Sequence, residues 1–153
     1  MANKTALFAG SFNPFTLGHL RIVERGLAIA DCVVVGVGYN INKPVPGNLE
    51  SRLDQIRKAV EPLNKPSEGK SVLVKEYGGL TADFARRIGA DFLLRGIRSV
   101  GDFEYERNLA DVNLKVLGID TVILCAEPEY SYLSSSVVRE LDANGFDTSH
   151  LLP

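Results

Sequence analysis

The stretch Gly10–His19, GSFNPFTLGH, decides how this chain folds. It follows an apolar run ending at Ala9 and leads into apolar residues with helical spacing, so it predicts a strand, a tight turn and a helix. Gly10 and Gly18 have no Cβ atom and let backbone or a ligand approach closely. Pro14 prevents regular pairing and keeps the turn open. The sequence therefore predicts a turn with room for a ligand at the end of the first strand.

A phosphate is the ligand that this turn favours. The following helix directs unpaired N–H groups and the positive end of its dipole at the strand end. His19, in the first helical turn, adds a neutral imidazole donor that we predict acts on the phosphate. From these ten residues alone, a surface or capping histidine is an equal alternative. Neither GxGxxG nor GxxxxGK[ST] occurs in the chain.

Length and composition predict one globular domain, residues 1–153. Hydrophobic residues make up 45% of the chain and charged residues 24%, as in ordinary folded proteins. The net charge of −2 without runs of Lys or Arg argues against nucleic acid as a partner. No apolar stretch approaches the roughly 20 residues of a membrane span. Met1–Thr5 contains no apolar signal core, so we expect a cytoplasmic protein.

The two cysteines are not predicted to bind metal. Cys32 and Cys125 lie at the edges of separate apolar runs, with no CxxC and no histidine nearby. Zinc requires more ligands than this pair supplies. We therefore predict buried, reduced thiols and no metal site built by the protein.

Strand-like and helix-like segments alternate along the chain, which predicts an α/β fold with a doubly wound, five-stranded parallel sheet of Rossmann-like type. The apolar runs are nearly continuous, as in strands buried on both faces. The predicted strands are Thr5–Ala9, Cys32–Val37, Ser71–Lys75, Asp91–Leu94 and Thr121–Cys125. The predicted helices are Gly18–Ala30, Leu49–Val60, Thr81–Ile88, Gly101–Leu117 and Ser135–Ala143. Asn48 is expected to cap the second helix, and Gly89, Gly118 and Gly145 to end the last three.

Two connections are long. Tyr39–Asn48 is polar and contains two prolines and a glycine, so we predict a mobile binding loop that carries Lys43. Pro62–Lys70 is predicted to be a solvated surface loop at the opposite edge of the sheet, with no functional role.

Ligands of open parallel sheets bind beyond the carboxyl ends of the strands, so the residues after each apolar run are the candidates for a site. In strand order these are Ser11 with His19, Lys43, Gly78–Thr81, Arg95–Arg98 and Tyr130–Ser136. They supply cations, hydroxyls, helix starts and one histidine, but no activated nucleophile. Such a set fits phosphoryl or nucleotidyl transfer by positioning and charge stabilisation, with the nucleophile supplied by a substrate.

Arg95 directly follows a predicted buried strand, where a guanidinium needs a partner. Phosphate is a good bidentate partner. The alternative is an ion pair with Asp83, Asp102 or Glu104. Arg98, three residues further on, favours an anionic ligand because two cations then share one cleft.

Two further groups are candidates for nucleotide contacts. Of Ser134, Ser135 and Ser136, one is needed to cap the last helix, and the others offer hydroxyl and N–H groups to a polyphosphate. Glu106 lies in the fourth helix, where it is predicted to accept from a ribose or to support Arg98 or a metal. The alternative for Glu106 is a solvated carboxylate on the helix surface.

Three motifs resemble those of the bacterial phosphopantetheine adenylyltransferases, a family of the nucleotidylyltransferase superfamily with its T/HxGH signature. GSFNPFTLGH is similar to the first motif of that family. Arg95–Glu106 (RGIRSVGDFEYE) resembles the second motif and Tyr130–Glu140 (YSYLSSSVVRE) the third. The motifs occur in the family's order, and the similarity extends from about residue 4 to Pro153.

The resemblance implies the nucleotidylyltransferase fold and one reaction of coenzyme A biosynthesis. ATP and 4′-phosphopantetheine would give dephospho-coenzyme A and pyrophosphate by in-line attack, with Mg²⁺ brought by ATP and no covalent enzyme intermediate. It also implies a cytoplasmic homohexamer and a transition-state role for His19. The implied phosphopantetheine-binding residues are Ser11, Lys43, Thr81 and Arg95. The implied ATP-binding residues are Ser11, Phe12, His19, Gly96, Ile97, Arg98, Glu106, Tyr130, Ser131, Tyr132, Leu133, Ser134, Ser135 and Ser136.

Two other functions compete with this one. Another nucleotidylyltransferase, acting on nicotinamide mononucleotide or using CTP to activate a phospho-alcohol, shares the first and third motifs. It differs at Arg95–Glu106 and Gly78–Thr81. A non-catalytic nucleotide-binding module is compatible with the same fold. His19 argues against that module, because a pure binder needs no donor for charge that develops only during a reaction.

Overall fold

The computed structural model describes residues 2–153, and Met1 lies outside the described residues. Five strands form one sheet: β1 (Thr5–Gly10), β2 (Cys32–Tyr39), β3 (Ser71–Gly78), β4 (Phe92–Ile97) and β5 (Asp120–Cys125). The connecting helices are α1 (Leu17–Gly26), α2 (Leu49–Val60), α3 (Thr81–Arg87), α4 (Val100–Leu117) and α5 (Ser135–Ala143). Short 3₁₀ turns lie at Glu61–Leu63, Pro66–Glu68, Pro128–Tyr130 and Ser149–Leu151.

The sheet has the order β3-β2-β1-β4-β5, and every neighbouring pair is parallel. The predicted doubly wound, five-stranded parallel sheet is therefore confirmed. The strand order reverses between β1 and β4, since β2 and β3 lie on one side of β1 and β4 and β5 on the other. The carboxyl ends of β1 and β4 diverge into helices at this switch point, where open sheets of this kind bind ligands.

Alternate residues of the central strands enter two apolar layers, one on each face of the sheet. Phe8 and Val35 pack on the face that α1 and α2 cover. Leu7 and Val34 pack on the opposite face, against Phe84 of α3. Each such side chain contributes roughly 1.5–3 kcal/mol through burial. The two layers hold the carboxyl ends of β1 and β4 in fixed positions.

The edge strands differ from the prediction of strands buried on both faces. Leu73 and Lys75 of β3 are exposed, and each residue of β5 keeps some access to solvent. An edge strand has a neighbour on one side only, so helices cover it less completely. β4 also extends to Ile97, so that Arg95 lies inside the strand rather than after it.

Two predicted helix features are corrected. α1 ends at Gly26 rather than at Ala30, and the chain then turns so that the Asp31 N–H donates to the Lys4 carbonyl oxygen at 2.8 Å, where β2 begins. Asn48 makes no capping bond to α2, because its side-chain oxygen accepts from Arg52 at 2.9 Å instead. Gly89, Gly118 and Gly145 follow the ends of α3, α4 and α5 with positive φ, as predicted.

The cysteine prediction is wrong in one respect. Cys125 is exposed and Cys32 partly buried, because Cys125 ends the edge strand β5. Within residues 2–153, no three His, Cys, Asp or Glu side chains are grouped to hold a metal ion. No helix in the same range is long and apolar enough to cross a membrane.

The segment Pro62–Lys70 is mostly exposed, as predicted, but it has local order. It contains the end of one 3₁₀ turn and the whole of another, and an antiparallel bridge joins Lys65 to Lys70. The side-chain oxygen of Asn64 accepts from the Val72 N–H at 2.8 Å, which ties the segment to β3.

Candidate active site

Two adjoining cavities open at the switch point, and both are lined by Ala9, Gly10, Ser11 and Arg95. The first has a volume of about 310 Å³. It is also lined by residues of α1, of β4 and the chain just after it, and of the start of α5 and the segment before it, including His19, Arg98, Tyr130, Ser134 and Ser135. The second, of about 370 Å³, lies between β1, β4, α3 and α4 and includes Thr81, Glu106, Leu109 and Asn113. Two ligands bound in these cavities would meet at Ser11 and Arg95.

His19 is held by a capping box at the start of α1. Its backbone N–H donates to the Thr16 hydroxyl at 3.3 Å, and its ring Nδ1 accepts from the Thr16 backbone N–H at 2.9 Å. Because Nδ1 is the acceptor, the ring proton is on Nε2. The capping histidine and the acting histidine, which the sequence presents as alternatives, are compatible, since one nitrogen caps and the other remains a donor.

Aromatic rings surround His19 and determine its charge. The Phe15 ring stacks on the imidazole at 5.5 Å between centroids, and the Phe12 ring meets it edge-on at 5.0 Å. Burial, with smaller effects from the positive charges of Arg95 and Arg98, lowers the pKa of His19 to about 4. The imidazole is therefore neutral at pH 7, as predicted, with burial as the main cause.

Arg95 has a different partner from those offered by the sequence. Its Nε and Nη2 donate to the two carboxylate oxygens of Glu106 at 2.9 and 2.7 Å, and Nη1 donates to the Ala9 carbonyl oxygen. Glu106 is 6% exposed, so it is not a solvated carboxylate. It does not support Arg98 either, because both its oxygens accept from Arg95 and Arg98 pairs with Asp102. This fork fixes the guanidinium between the two cavities, since Arg95 lines both.

Arg98 remains more accessible than Arg95. Its backbone N–H donates to Asp102 at 2.9 Å, and its Nε lies 3.8 Å from the same carboxylate. Beside this contact with the first turn of α4, the Arg98 side chain is 39% exposed, and it lines the first cavity. Arg98 is therefore a second cation at the cavity that contains His19.

Two of the three serines have distinct local roles, and the Ser136 hydroxyl lies 3.3 Å from that of Ser134. The Ser134 hydroxyl accepts from the Val137 N–H at 3.2 Å and caps α5. The Ser135 hydroxyl donates to the Pro14 carbonyl oxygen at 2.7 Å and ties α5 to the first motif. Ser136 is exposed. The N-terminus of α5 thus faces the first cavity through Ser134 and Ser135.

Most of the predicted site residues lie at one of the two cavities. The first contains Ser11, Phe12, His19, Arg95, Gly96, Ile97, Arg98, Tyr130, Leu133, Ser134 and Ser135; the second contains Thr81 and Glu106 together with Ser11 and Arg95. Four predicted residues line neither cavity: Lys43, Ser131, Tyr132 and Ser136. Lys43 is exposed in the loop after β2, and its predicted substrate contact stays a prediction.

The sequence analysis missed the α4 wall of the second cavity. Leu109, Asn113 and Leu117 line it together with Glu106. These residues lie three, seven and eleven positions after Glu106, a spacing that puts them on one helix face. This helical spacing was the sequence signal for these residues. It points to the site only when Glu106 has already been assigned there.

Comparison with known proteins agrees with this geometry. Residues 7–141 match the family described as cytidylyltransferase-like. A bifunctional NMN adenylyltransferase/ADP ribose pyrophosphatase from Francisella tularensis, complexed with AMP and Mn ion, has a similar fold, with a TM-score of 0.67 and 14% identity over 99% of this chain. This chain spans 44% of that protein. The chain therefore has the fold of the nucleotidyltransferases and belongs to the cytidylyltransferase-like family.

Relatives of similar length narrow this class. A phosphopantetheine adenylyltransferase of Porphyromonas gingivalis is 49% identical over 153 residues, covering 100% of this chain and 96% of that protein. One of Bacteroides fragilis is 43% identical over 150 residues, covering 98% of this chain and 96% of that protein. The chain belongs to the phosphopantetheine adenylyltransferase family.

Proposed function

We propose that this chain transfers the adenylyl group of ATP to 4′-phosphopantetheine. A phosphate oxygen of the acceptor attacks the α-phosphorus of ATP, the bond from that phosphorus to the bridging oxygen breaks, and pyrophosphate leaves. The products are dephospho-coenzyme A and pyrophosphate. The observation that carries the proposal is the pair of cavities that meet at Ser11 and Arg95, beside His19.

The first cavity has the chemistry of a nucleotide site. Tyr130 offers an aromatic surface, and Arg98 offers a positive charge to phosphates. The N-terminus of α5, at Ser134 and Ser135, supplies the positive end of a helix dipole. We assign the adenosine and triphosphate of ATP to this cavity, with the departing pyrophosphate between Arg98 and α5.

The second cavity has the chemistry of the acceptor site. Arg95 lines this cavity, and the two guanidinium N–H groups that Glu106 and Ala9 leave free can donate to the acceptor phosphate. Thr81 places a hydroxyl 2.8 Å from that of Tyr77. Further along, Leu109 and Asn113 combine apolar surface with an amide. A pantetheine arm presents apolar carbons and amide groups in alternation, and this lining matches that chemistry.

The rate enhancement would come from positioning and charge stabilisation. The Nε2–H of His19 is a neutral donor, directed by the bond that Nδ1 accepts from Thr16. Donation to an α-phosphate oxygen stabilises the negative charge that builds there in the transition state. Mg²⁺ would arrive as part of the MgATP substrate and screen the phosphate charge.

We also propose that the protein works as a homo-oligomer, with the family's hexamer as the expected assembly. Support comes from apolar side chains exposed along α4, such as Phe103, Val112 and Val116, since exposed apolar patches mark interaction sites. We further propose a cytoplasmic location, where ATP is available to the enzyme. Light scattering coupled to gel filtration measures the assembly directly, and a monomer at micromolar concentration would contradict this proposal.

A coupled pyrophosphate-release assay tests the reaction. ATP is offered with 4′-phosphopantetheine or nicotinamide mononucleotide, and CTP with a phospho-alcohol; His19→Asn protein prepared in parallel measures background from contaminants. We expect release with ATP and 4′-phosphopantetheine at a kcat/KM at least about a hundredfold above the other pairs. A preference for either other pair assigns the chain to that reaction. No release with any pair, despite ATP binding, would favour the non-catalytic module.

A further inference from the structure

Arg52 is a buried cation for which the proposed reaction supplies no role. It lies in the first turn of α2 and is 8% exposed. Its Nη1 donates to the Ser11 carbonyl oxygen at 2.9 Å, and its Nη2 donates to the Asn48 side-chain oxygen at 2.9 Å. Its Nε is buried with no hydrogen-bond partner in the described part of the chain. All its contacts are therefore with neutral oxygens.

Such a group is costly to bury. No carboxylate among residues 2–153 lies within ion-pair distance of Arg52, whereas Arg57 on the same helix is exposed and pairs with Asp54 at 2.9 Å. Removing a cation from water without a counter-charge opposes folding, and burial correspondingly lowers the pKa of Arg52. Stability therefore does not account for an arginine here, which points to a role in the site.

The bond to Ser11 fixes the orientation of one peptide group in the first motif. The carbonyl and N–H of a trans peptide point in opposite directions, so the Phe12 N–H faces away from Arg52. Ser11 and Phe12 both line the first cavity, and the Phe12 N–H donates to no backbone or side-chain acceptor within residues 2–153. Phe12 also has φ of +47°, an unusual conformation for a residue with a side chain, which surrounding contacts must maintain.

We propose that Arg52 is a positioning residue of the first cavity. It holds the Ser11–Phe12 peptide so that the Phe12 N–H donates to a substrate phosphate. This inference rests on the proposed adenylyl transfer. The buried positive charge behind the peptide also favours an anion in front of it. Because the same guanidinium also binds Asn48, it connects the end of the loop after β2 to the first cavity.

The test compares Arg52→Met with Arg52→Lys, with Arg57→Met as the matched control on the same helix. Arg52→Met removes both bonds and the charge, and we expect kcat to fall about 10- to 100-fold while Tm stays near or above that of the wild type. Arg52→Lys keeps the charge but cannot bridge both oxygens, so an intermediate kcat is expected. Arg57→Met should keep kcat within about twofold of the wild type.

A purely structural role gives the opposite result. A lower Tm with kcat per folded enzyme within about twofold of the wild type in Arg52→Met would overturn the inference. If that variant does not fold, Arg52→Lys decides, since full kcat in a folded Lys variant shows that orientation is not needed. If the wild type releases no pyrophosphate with 4′-phosphopantetheine, the proposed function fails instead. In that case calorimetry with ATP tests the role of Arg52 by itself. We expect ATP to bind at least about fivefold more weakly to Arg52→Met than to Arg57→Met, and equal binding overturns the inference.

Discussion

The two ring nitrogens of His19 have separable tasks, and replacement by asparagine distinguishes them. Nδ1 accepts from the Thr16 N–H at 2.9 Å, and Nε2 is the proposed donor to the transition state. In His19→Asn, the amide oxygen takes the place of Nδ1 and preserves the cap, but the shorter side chain does not reach the position of Nε2. In His19→Ala, both functions are lost.

The structure sets the size of each effect. Thr16 is 1% exposed, so leaving its N–H without an acceptor should cost about 1–3 kcal/mol of the free energy of unfolding. Loss of a donor to developing negative charge typically lowers kcat by about 10²–10³-fold. We therefore expect His19→Ala to lose both stability and rate. His19→Asn should keep a near-normal Tm and lose only rate.

The assay is pyrophosphate release at saturating ATP and 4′-phosphopantetheine, together with Tm and the Kd of ATP for each variant. ATP binding should change little in His19→Asn, because the interaction forms mainly in the transition state. A His19→Asn enzyme with kcat within about threefold of the wild type would refute the donor role of Nε2. A raised KM at near-normal kcat would make His19 a binding residue.

Three further predictions follow from the same geometry. The pKa of His19 is about 4 in the folded chain and near 6.5 in the unfolded chain, so the unfolded chain binds the proton first as the pH falls. The free energy of unfolding should therefore decrease between about pH 6.5 and pH 4, more steeply than in His19→Asn. The pH profile of kcat should show no His19 ionisation between about pH 5.5 and 8. Arg95→Ala should weaken binding of the acceptor, through its phosphate, by about 2–4 kcal/mol, whereas Arg98→Ala should mainly weaken binding of ATP. Calorimetry with each ligand measures both effects, and equal losses of affinity for both ligands in both variants would reject this division. Ser136→Pro removes an N–H in the first turn of α5 and should weaken the binding of ATP more than the binding of AMP. An unchanged ratio of the two affinities would mean that the β- and γ-phosphates bind elsewhere.

The order of elements and the location of the site were predictable from the sequence. Apolar runs alternating with helical periodicity indicate a parallel sheet, and parallel strands gather their carboxyl ends at one edge. Residues near those ends, such as Ser11, Arg95 and Ser134, therefore come together whatever the details of packing. The bounds of α2 and α5 were also predictable, from apolar periodicity in both helices and from the Ser134 cap of α5, although the predicted cap of α2 does not form.

Side-chain partners were not predictable in the same way. Several acids near Arg95 have the same chemistry, and only the packing of α4 against β4 selects Glu106 over Asp102 or Glu104. The exposure of Cys125 likewise depends on β5 being an edge strand, which strand order decides and local sequence does not.

The chain's own sequence determined the parallel sheet and the edge at which the candidate site lies, because both depend on residue patterns that repeat along the chain. Only the tertiary structure decided the proton position on His19, the burial of Arg52 behind Ser11 and the second cavity along α4. Each of these depends on distances of a few ångströms between groups far apart in sequence. Such distances are set when the two faces of the sheet pack, and no local pattern encodes them.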